Sequence, residues 1–388
     1  MTSFWNKIKN FKGLKDLSSL GIGNITSSGI SGVFWFYLAA LIGTEGYGEL
    51  SYLLAIAGIA STLASIGSGY TTIVYTAKKI NILPATFIVT IIGSATAAFA
   101  IYLALDNPAL SGYVLLYVVF NLGTATLMGL KQFKKYAVLL ILQKIIMVVL
   151  VISLYYIYEN NGVILGYALS FLIFTPIIFR EIKMNGIQFS VMKPRLGFML
   201  NSYGTDLVKA FSGNTDKLII GPLFGLSLLG NYHLGMQFLV IAAIIPNIIM
   251  QYTLPRDSSG ENNDEIKKYI VIFSTFIALI GIFVGPTIID LLFPEYSGTT
   301  EIIQIMILAI IPKTISLTLM SKFLGMEKSK LVIIGAIIFL LVQIPTIILF
   351  GEIAGIVGIA ISLVLAETIQ AIFYIISNRS MKVKIKWM

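Results

Sequence analysis

The chain has 388 residues, of which 57% are hydrophobic and only 12% charged, and its formal net charge is +9. Soluble domains carry about 25% charged residues, so this composition excludes an ordinary soluble protein. It also leaves no loop long enough to fold as a separate soluble domain. No cysteine and one histidine are present, which excludes disulfides, thiolate metal sites and a thiol nucleophile.

Taken in chain order, residues 1–17 form an expected amphipathic interfacial segment. Phe4, Trp5, Ile8, Phe11 and Leu14 alternate there with Lys7, Lys9, Lys12 and Lys15 at near-helical spacing. The apolar run that follows has no small-residue cleavage pattern, so no cleavable signal peptide is expected. Twelve apolar spans then follow, at roughly 18–42, 48–76, 83–105, 109–130, 136–157, 162–179, 196–223, 229–254, 268–289, 302–321, 331–350 and 354–377. Each is close to the ~20 residues that cross a bilayer as a helix.

The gaps between spans alternate in charge. Of the 27 Lys and Arg, all but Lys144, Lys209, Lys217 and Lys313 lie in or at the edges of alternate gaps, beginning with the N-terminal segment. The intervening gaps hold acids instead: Glu45, Asp106, Glu159, Asp290, Glu295, Glu301 and Glu352. Basic loops stay on the cytoplasmic side, so the pattern predicts a multi-pass protein of the cell membrane with both termini inside. The positive net charge is this bias, and it gives no reason to expect nucleic-acid binding.

A weak internal repeat divides the spans into two groups of six. The stretch 43–52 (GTEGYGELSY) is echoed at 225–232 (GLSLLGNY), and 165–170 (LGYALS) at 357–362 (VGIAIS). An even number of spans per unit makes the repeat parallel, with its pseudo-two-fold axis along the membrane normal. The expected fold class is therefore an all-α polytopic membrane protein of twelve transmembrane helices in two six-helix lobes. The expected boundaries are 18–180 for the N-lobe, 181–195 for a cytoplasmic linker, 196–378 for the C-lobe and 379–388 for a basic cytoplasmic tail. Proline is concentrated in the second lobe, at Pro222, Pro246, Pro286, Pro312 and Pro345. Kinks there suit bending, although membrane helices tolerate proline generally.

The seventh span is polar, with Asn201, Asp206, Lys209, Asn214, Asp216 and Lys217. Loop parity still requires it to cross, and a polar helix at depth must face protein or water. Charges within spans are the main chemical signal, because each is costly in lipid. Lys144, Lys209 and Lys313 fall near mid-depth and Lys217 further out; Asp206, Asp216 and Glu367 are the embedded acids. Lysines at the midplane between two lobes would be point-charge partners for phosphate oxygens. The plainer alternatives are mutual neutralisation of Asp206 and Lys209, snorkelling of Lys217, and pairing of Glu367 with Lys313 or Lys144. There is no P-loop and no Ser/His/Asp or metal-ligand spacing, and the single His233 reads as a structural residue. Tyr37, Tyr52, Tyr70 and Tyr75 fit interfacial packing better than sugar stacking.

Several of these motifs occur together. They are the Gly/Asn/Ser-rich first helix at 21–29 (GIGNITSSG), GYGELS at 46–51, NTDKLIIG at 214–221 and LGNY at 229–232. As a set they resemble the polysaccharide-export branch of the multidrug/oligosaccharidyl-lipid/polysaccharide (MOP) flippase superfamily, the Wzx-type repeat-unit flippases. The resemblance covers residues 18–378. It implies a carrier that moves polyprenyl-diphosphate-linked oligosaccharide to the outer leaflet by alternating access. It also implies a substrate-path role for Asp216 and Lys217. The related lipid II flippases have an arginine-rich cavity, whereas Arg180, Arg195, Arg256 and Arg379 here all fall in cytoplasmic segments, which argues against a peptidoglycan-precursor substrate.

The expectation is thus a non-enzymatic transporter without cofactor or metal. Lys209, Lys217, Lys313 and Lys144 would bind the diphosphate, and Asp206, Asp216 and Glu367 would tune them or carry H⁺ or Na⁺. Its partners would be the lipid-linked sugar and membrane lipid, with a monomer sufficient. A cation-coupled multidrug exporter of the same superfamily is the main rival; a membrane enzyme and a non-transporting scaffold are the others.

Overall fold

A backbone surrounded by hydrocarbon has no water to bond, so runs of Ile, Leu, Val and Ala must satisfy their own amides as helix. The computed structural model describes residues 14–258, 263–326 and 328–385. Among them the regular structure is helical, in chain order α1 (Leu14–Ser65), α2 (Ser68–Ala77), α3 (Leu83–Leu105), α4 (Pro108–Gly129), α5 (Phe133–Ser170), α6 (Thr175–Asn185), α7 (Leu196–Phe224), α8 (Leu226–Ala242), α9 (Ile244–Ser258), α10 (Asp264–Leu292), α11 (Ser297–Met306), α12 (Ile310–Gly325) and α13 (Ser329–Ile385). Short 3₁₀ turns join α5 to α6, lead from α6 into α7, and join α11 to α12. The expected amphipathic segment at 1–17 lies outside the described residues except for its last turn, which opens α1.

Among the described residues seven stretches are long and apolar enough to cross a membrane, and α8 with α9 forms one further span bent by 46°. Three of the seven hide a break. Non-helical backbone interrupts α1 at Gly43 (φ 71°, ψ 179°), α5 at Glu159 (φ 50°, ψ −133°) and α13 at Ala354–Gly355. Each of these helices therefore supplies two spans. With the polar α7, the chain makes the twelve crossings that hydropathy and loop parity predict.

Glycines let the returning helices lie close. A Cβ on Gly166 would stand 2.7 Å from the amide nitrogen of Val151, across the Glu159 break. One on Gly358 would overlap the Phe350 carbonyl, across the Gly355 break. These two glycines are the second residues of the LGYALS and VGIAIS echoes, so that echo records a packing requirement.

The second span differs from expectation. It is not one helix over 48–76 but breaks at Ile66 (φ 47°) and Gly67 (φ 67°) before α2. A Cβ at Gly67 would overlap the Met199 carbonyl at the start of α7, and Tyr203 Oη donates to the Leu63 carbonyl at 3.0 Å. The break is where α7 passes.

The chain forms two compact units. The first comprises the described residues up to Phe34 with Ile56–Leu207, and the second Trp35–Ala55 with everything from Val208 onward. The first is built around Leu83, Val118, Leu122, Phe174 and Ile178. The second has a core of Ile220, Leu229, Tyr232, Met306, Ile310, Ile359 and Leu363.

Residues 35–55 sit in the second unit through a reciprocal glycine crossing. A Cβ on Gly48 would overlap the Leu226 carbonyl and stand 2.9 Å from the Gly230 nitrogen. A Cβ on Gly230 would overlap the Thr44 carbonyl and stand 3.1 Å from the Gly48 nitrogen. Ser227 Oγ donates to Thr44 Oγ1 at 3.1 Å beside it. The two repeats thus meet at equivalent positions, each following a glycine of positive φ, Gly43 (φ 71°) and Gly225 (φ 93°). Small residues are what allow helix backbones to approach this closely in a membrane. Tyr47 packs 5.0 Å from the His233 ring and 6.2 Å from the Tyr296 ring, and Tyr296 Oη donates to the Ala39 carbonyl at 2.8 Å.

Beyond the membrane end of α9, a polar clip ties α9, α10 and α12. Asp257 Oδ2 accepts from Lys267 Nζ at 2.6 Å and from Ser321 Oγ at 2.6 Å, while Asn263 Nδ2 donates to Oδ1 at 3.0 Å. Burial by itself would raise the Asp257 carboxyl, but these hydrogen bonds and the Lys267 charge outweigh it and hold the group below its ordinary value.

Two predictions follow from this packing. Gly48→Ala or Gly230→Ala should each destabilise the protein by about 1–3 kcal/mol through overpacking. Gly204→Ala in α7, whose Cβ would meet nothing within 4 Å, should be neutral or stabilise by about 0.5–1 kcal/mol; thermal melts in detergent compare them. The Asp257 contribution should be complete above the unfolded carboxyl value of ~3.9 and lost as pH falls through the lower folded value. Melting temperature followed from pH 6 to 3 should fall less steeply in Asp257→Asn than in the wild type.

Candidate functional site

The embedded charges fall into three sets. The most enclosed is on α7. Asp216 Oδ1 lies 3.1 Å from Lys217 Nζ, with side chains only 4% and 11% exposed. Neighbours in sequence point about 100° apart on a helix, so this contact needs Lys217 to curl back. It does so by donating also to the Gly213 carbonyl one turn earlier, at 2.8 Å. The other carboxylate oxygen accepts from Tyr232 Oη on α8 at 3.1 Å. The pair is thus neutralised and its lone pairs are used, as buried charge requires.

Tyr232 is fully buried and lies within electrostatic range of both Asp216 and Glu367. The residue belongs to the second copy of the glycine repeat, and only its place after Gly230-Asn231 hinted at a polar task. Its neighbour Asn231 is equally occupied, accepting from the Thr299 amide at 2.9 Å and fixing α8 to α11.

The second set is Lys313 on α12 with Glu367 on α13, 3.1 Å apart. Of the two lysines open to sequence reasoning, Lys313 is the one that donates to Glu367. The pair is lopsided: the Lys313 side chain keeps 34% of its surface exposed, whereas Glu367 keeps 7%. The lysine side chain is thus partly open, and its carboxylate partner is buried.

The third set lies in the first unit. Lys144 Nζ donates to Tyr167 Oη at 3.3 Å and stands 5.1 Å from the centroid of the same ring. A cation–π contact of this kind holds a lysine without neutralising it. Tyr167 packs edge-on to Tyr113 at 5.4 Å, and Gln143 Nε2 donates to Ser170 Oγ at 2.7 Å beside it. Asp206 is half-buried in the same unit and within electrostatic range of Tyr117. Lys209 is exposed, on the part of α7 that belongs to the second unit. His233 shares a 3.2 Å hydrogen bond with Gln237 and packs its ring against Trp35 and Tyr47.

Of the seven charged residues singled out from sequence, four are therefore joined as two ion pairs within one unit: Asp216 with Lys217 and Glu367 with Lys313.

One comparison with known proteins shows the family and another the fold. A family profile described as polysaccharide biosynthesis protein matches residues 37–294. No curated protein matches by sequence. Among solved structures, the inward-facing form of a MATE-family multidrug resistance transporter of the MOP superfamily superposes with a TM-score of 0.79, at 15% identity, over 95% of this chain and 96% of that one. An outward-facing form of such a transporter gives 0.68 at 14% identity, over 98% of both chains. A MATE structure in the bent conformation gives 0.64 at 14% identity, over 95% of this chain and 94% of that one. The fold is thus the twelve-helix, two-lobe fold of these transporters.

Removing one partner of a buried pair strands the other. Asp216→Asn should destabilise by about 3–5 kcal/mol, whereas Asp216→Leu with Lys217→Met should restore most of the loss. A double-mutant cycle on thermal unfolding in detergent measures the coupling.

Proposed function

Because the chain belongs to the polysaccharide biosynthesis protein family of MOP-type transporters, we propose that it flips polyprenyl-diphosphate-linked oligosaccharide from the cytoplasmic to the outer leaflet. The observation that carries this reading is the Lys313–Glu367 pair, a partly exposed lysine held by a buried carboxylate within the apolar spans. A diphosphate offers several charged oxygens where the carboxylate offers two, so it can take over the ammonium on arrival. Lys144 and Lys209 would supply further positive charge along the path, Lys144 from its place beside the Tyr167 hydroxyl. Lys217 is held inward by Asp216 and Gly213 and would be the last of the four to meet phosphate.

Alternating access then has a physical lever. When the substrate takes Lys313, Glu367 would lose its counter-charge in a buried place, and a coupling ion, H⁺ or Na⁺, would have to replace it. Substrate and ion would compete through one pair of side chains, giving the coupling that a two-state carrier requires. The Gly48–Gly230 crossing would be the seal at the outer end, in one state closed backbone to backbone and in the other parted. The sugar would cross in the polar path and the prenyl tail in lipid. No catalytic step is part of this cycle.

A multidrug exporter is the second reading, favoured by what the structurally similar proteins are. It would use Asp206, Asp216 or Glu367 to bind cations, and the net positive charge of the embedded residues argues against it.

Reconstitution in liposomes with a labelled polyprenyl-diphosphate oligosaccharide, read by loss of accessibility to a membrane-impermeant sugar-modifying reagent, decides between them. The wild type should flip the lipid. Lys144→Gln with Lys209→Gln should slow it by about a hundredfold, if each charge-assisted contact contributes ~1.5 kcal/mol. No flipping by a folded wild type that drives proton-dependent dye efflux would favour the exporter.

A further inference from the structure

The groove at the basic end of α5 and α6 has no part in the proposed transport path. It is a cavity of about 240 Å³ lined by Lys135 and Leu139 from α5, by Ile173, Ile177 and Arg180 from the 3₁₀ turn and α6, and by Glu181. Lys135 and Leu139 are four apart, on one face of α5. Ile173, Ile177 and Arg180 are spaced four and three apart, on one face of the facing segment. Both stripes run the same way. The apolar residues lie toward the middle of the helices, and one cation lies at the outer limit of each.

The groove continues into a more open cleft of about 500 Å³ that adds Lys131 and Lys134 and shares Lys135 and Leu139. Four cations thus stand against the one acid, Glu181. Val138 is 54% exposed at the mouth, and Lys131, Lys134, Lys135 and Arg180 are all exposed.

Two cations from two helices above a floor of aliphatic side chains match an amphiphile with an anionic head. Basic pockets between transmembrane helices on the cytoplasmic side are where phosphate-bearing head groups bind. We propose that this groove is a binding site for an anionic phospholipid of the cytoplasmic leaflet, with the head-group phosphate between Lys135 and Arg180 and the start of an acyl chain along Leu139, Ile173 and Ile177. The site belongs wholly to the first unit and requires only the inside-basic orientation, so it stands apart from the identity of the transported substrate.

Native mass spectrometry of the full chain with equal amounts of phosphatidylglycerol and phosphatidylcholine of the same acyl chains tests it. The wild type should retain phosphatidylglycerol preferentially. Lys135→Gln with Arg180→Gln should reduce that preference at least fivefold with an unchanged melting temperature, since both side chains are exposed; the two single variants should fall between. Lys78→Gln with Lys79→Gln, which removes two basic-side charges outside the groove, should leave the preference intact. Equal loss in both double variants would reduce the effect to diffuse surface charge and overturn the site. So would a wild type that does not discriminate between the lipids. A polyprenyl phosphate displacing phosphatidylglycerol from the groove would overturn the phospholipid assignment in favour of the prenyl lipid.

Discussion

Charge in a medium of low dielectric has to be compensated where it stands, and this constraint organises the protein. The polar α7 can sit at membrane depth only because Asp216 and Lys217 neutralise each other and Tyr232 satisfies the remaining carboxylate oxygen. The same rule fixes α12 against α13 through Lys313 and Glu367. Apolar residues of similar volume would hold these helices at least as well. Stability alone therefore gives no reason for ionic pairs in a chain that is otherwise 57% hydrophobic, and the proposed function supplies one.

Close backbone approach is the complementary theme. Where ion pairs fix helices at mid-depth, glycines fix them at the turns, and the two repeats meet through Gly48 and Gly230 with almost no side chain between them.

Much of this was legible in the sequence, for reasons that are physical. Twelve crossings follow from segment length and from the alternation of basic and acidic gaps, since bilayer thickness and loop charge both act on local sequence. The repeats were visible because Gly43, Gly48, Gly225 and Gly230 serve backbone geometry that side chains would forbid. The break at Ile66–Gly67 was not visible, because it answers the passage of α7 more than a hundred residues away. The membership of residues 35–55 in the second unit was equally hidden, since nothing local records which neighbour a helix half prefers. Among site residues, sequence could place Glu367 opposite either Lys313 or Lys144, and only the packing of α12 against α13 chooses. Tyr232 stood in a quoted motif without a role, as a tyrosine in a membrane helix is more often packing than a hydrogen-bond donor.

The most direct test separates folding from transport by replacing both buried pairs at once with apolar residues of similar size: Asp216→Leu, Lys217→Met, Lys313→Met and Glu367→Leu. Melting temperature and flipping of a polyprenyl-diphosphate oligosaccharide would be measured on the same preparation. The account predicts a protein that melts close to the wild-type temperature and no longer flips the lipid. A variant that folds and transports at the wild-type rate would contradict it, and the embedded charges would then be structural.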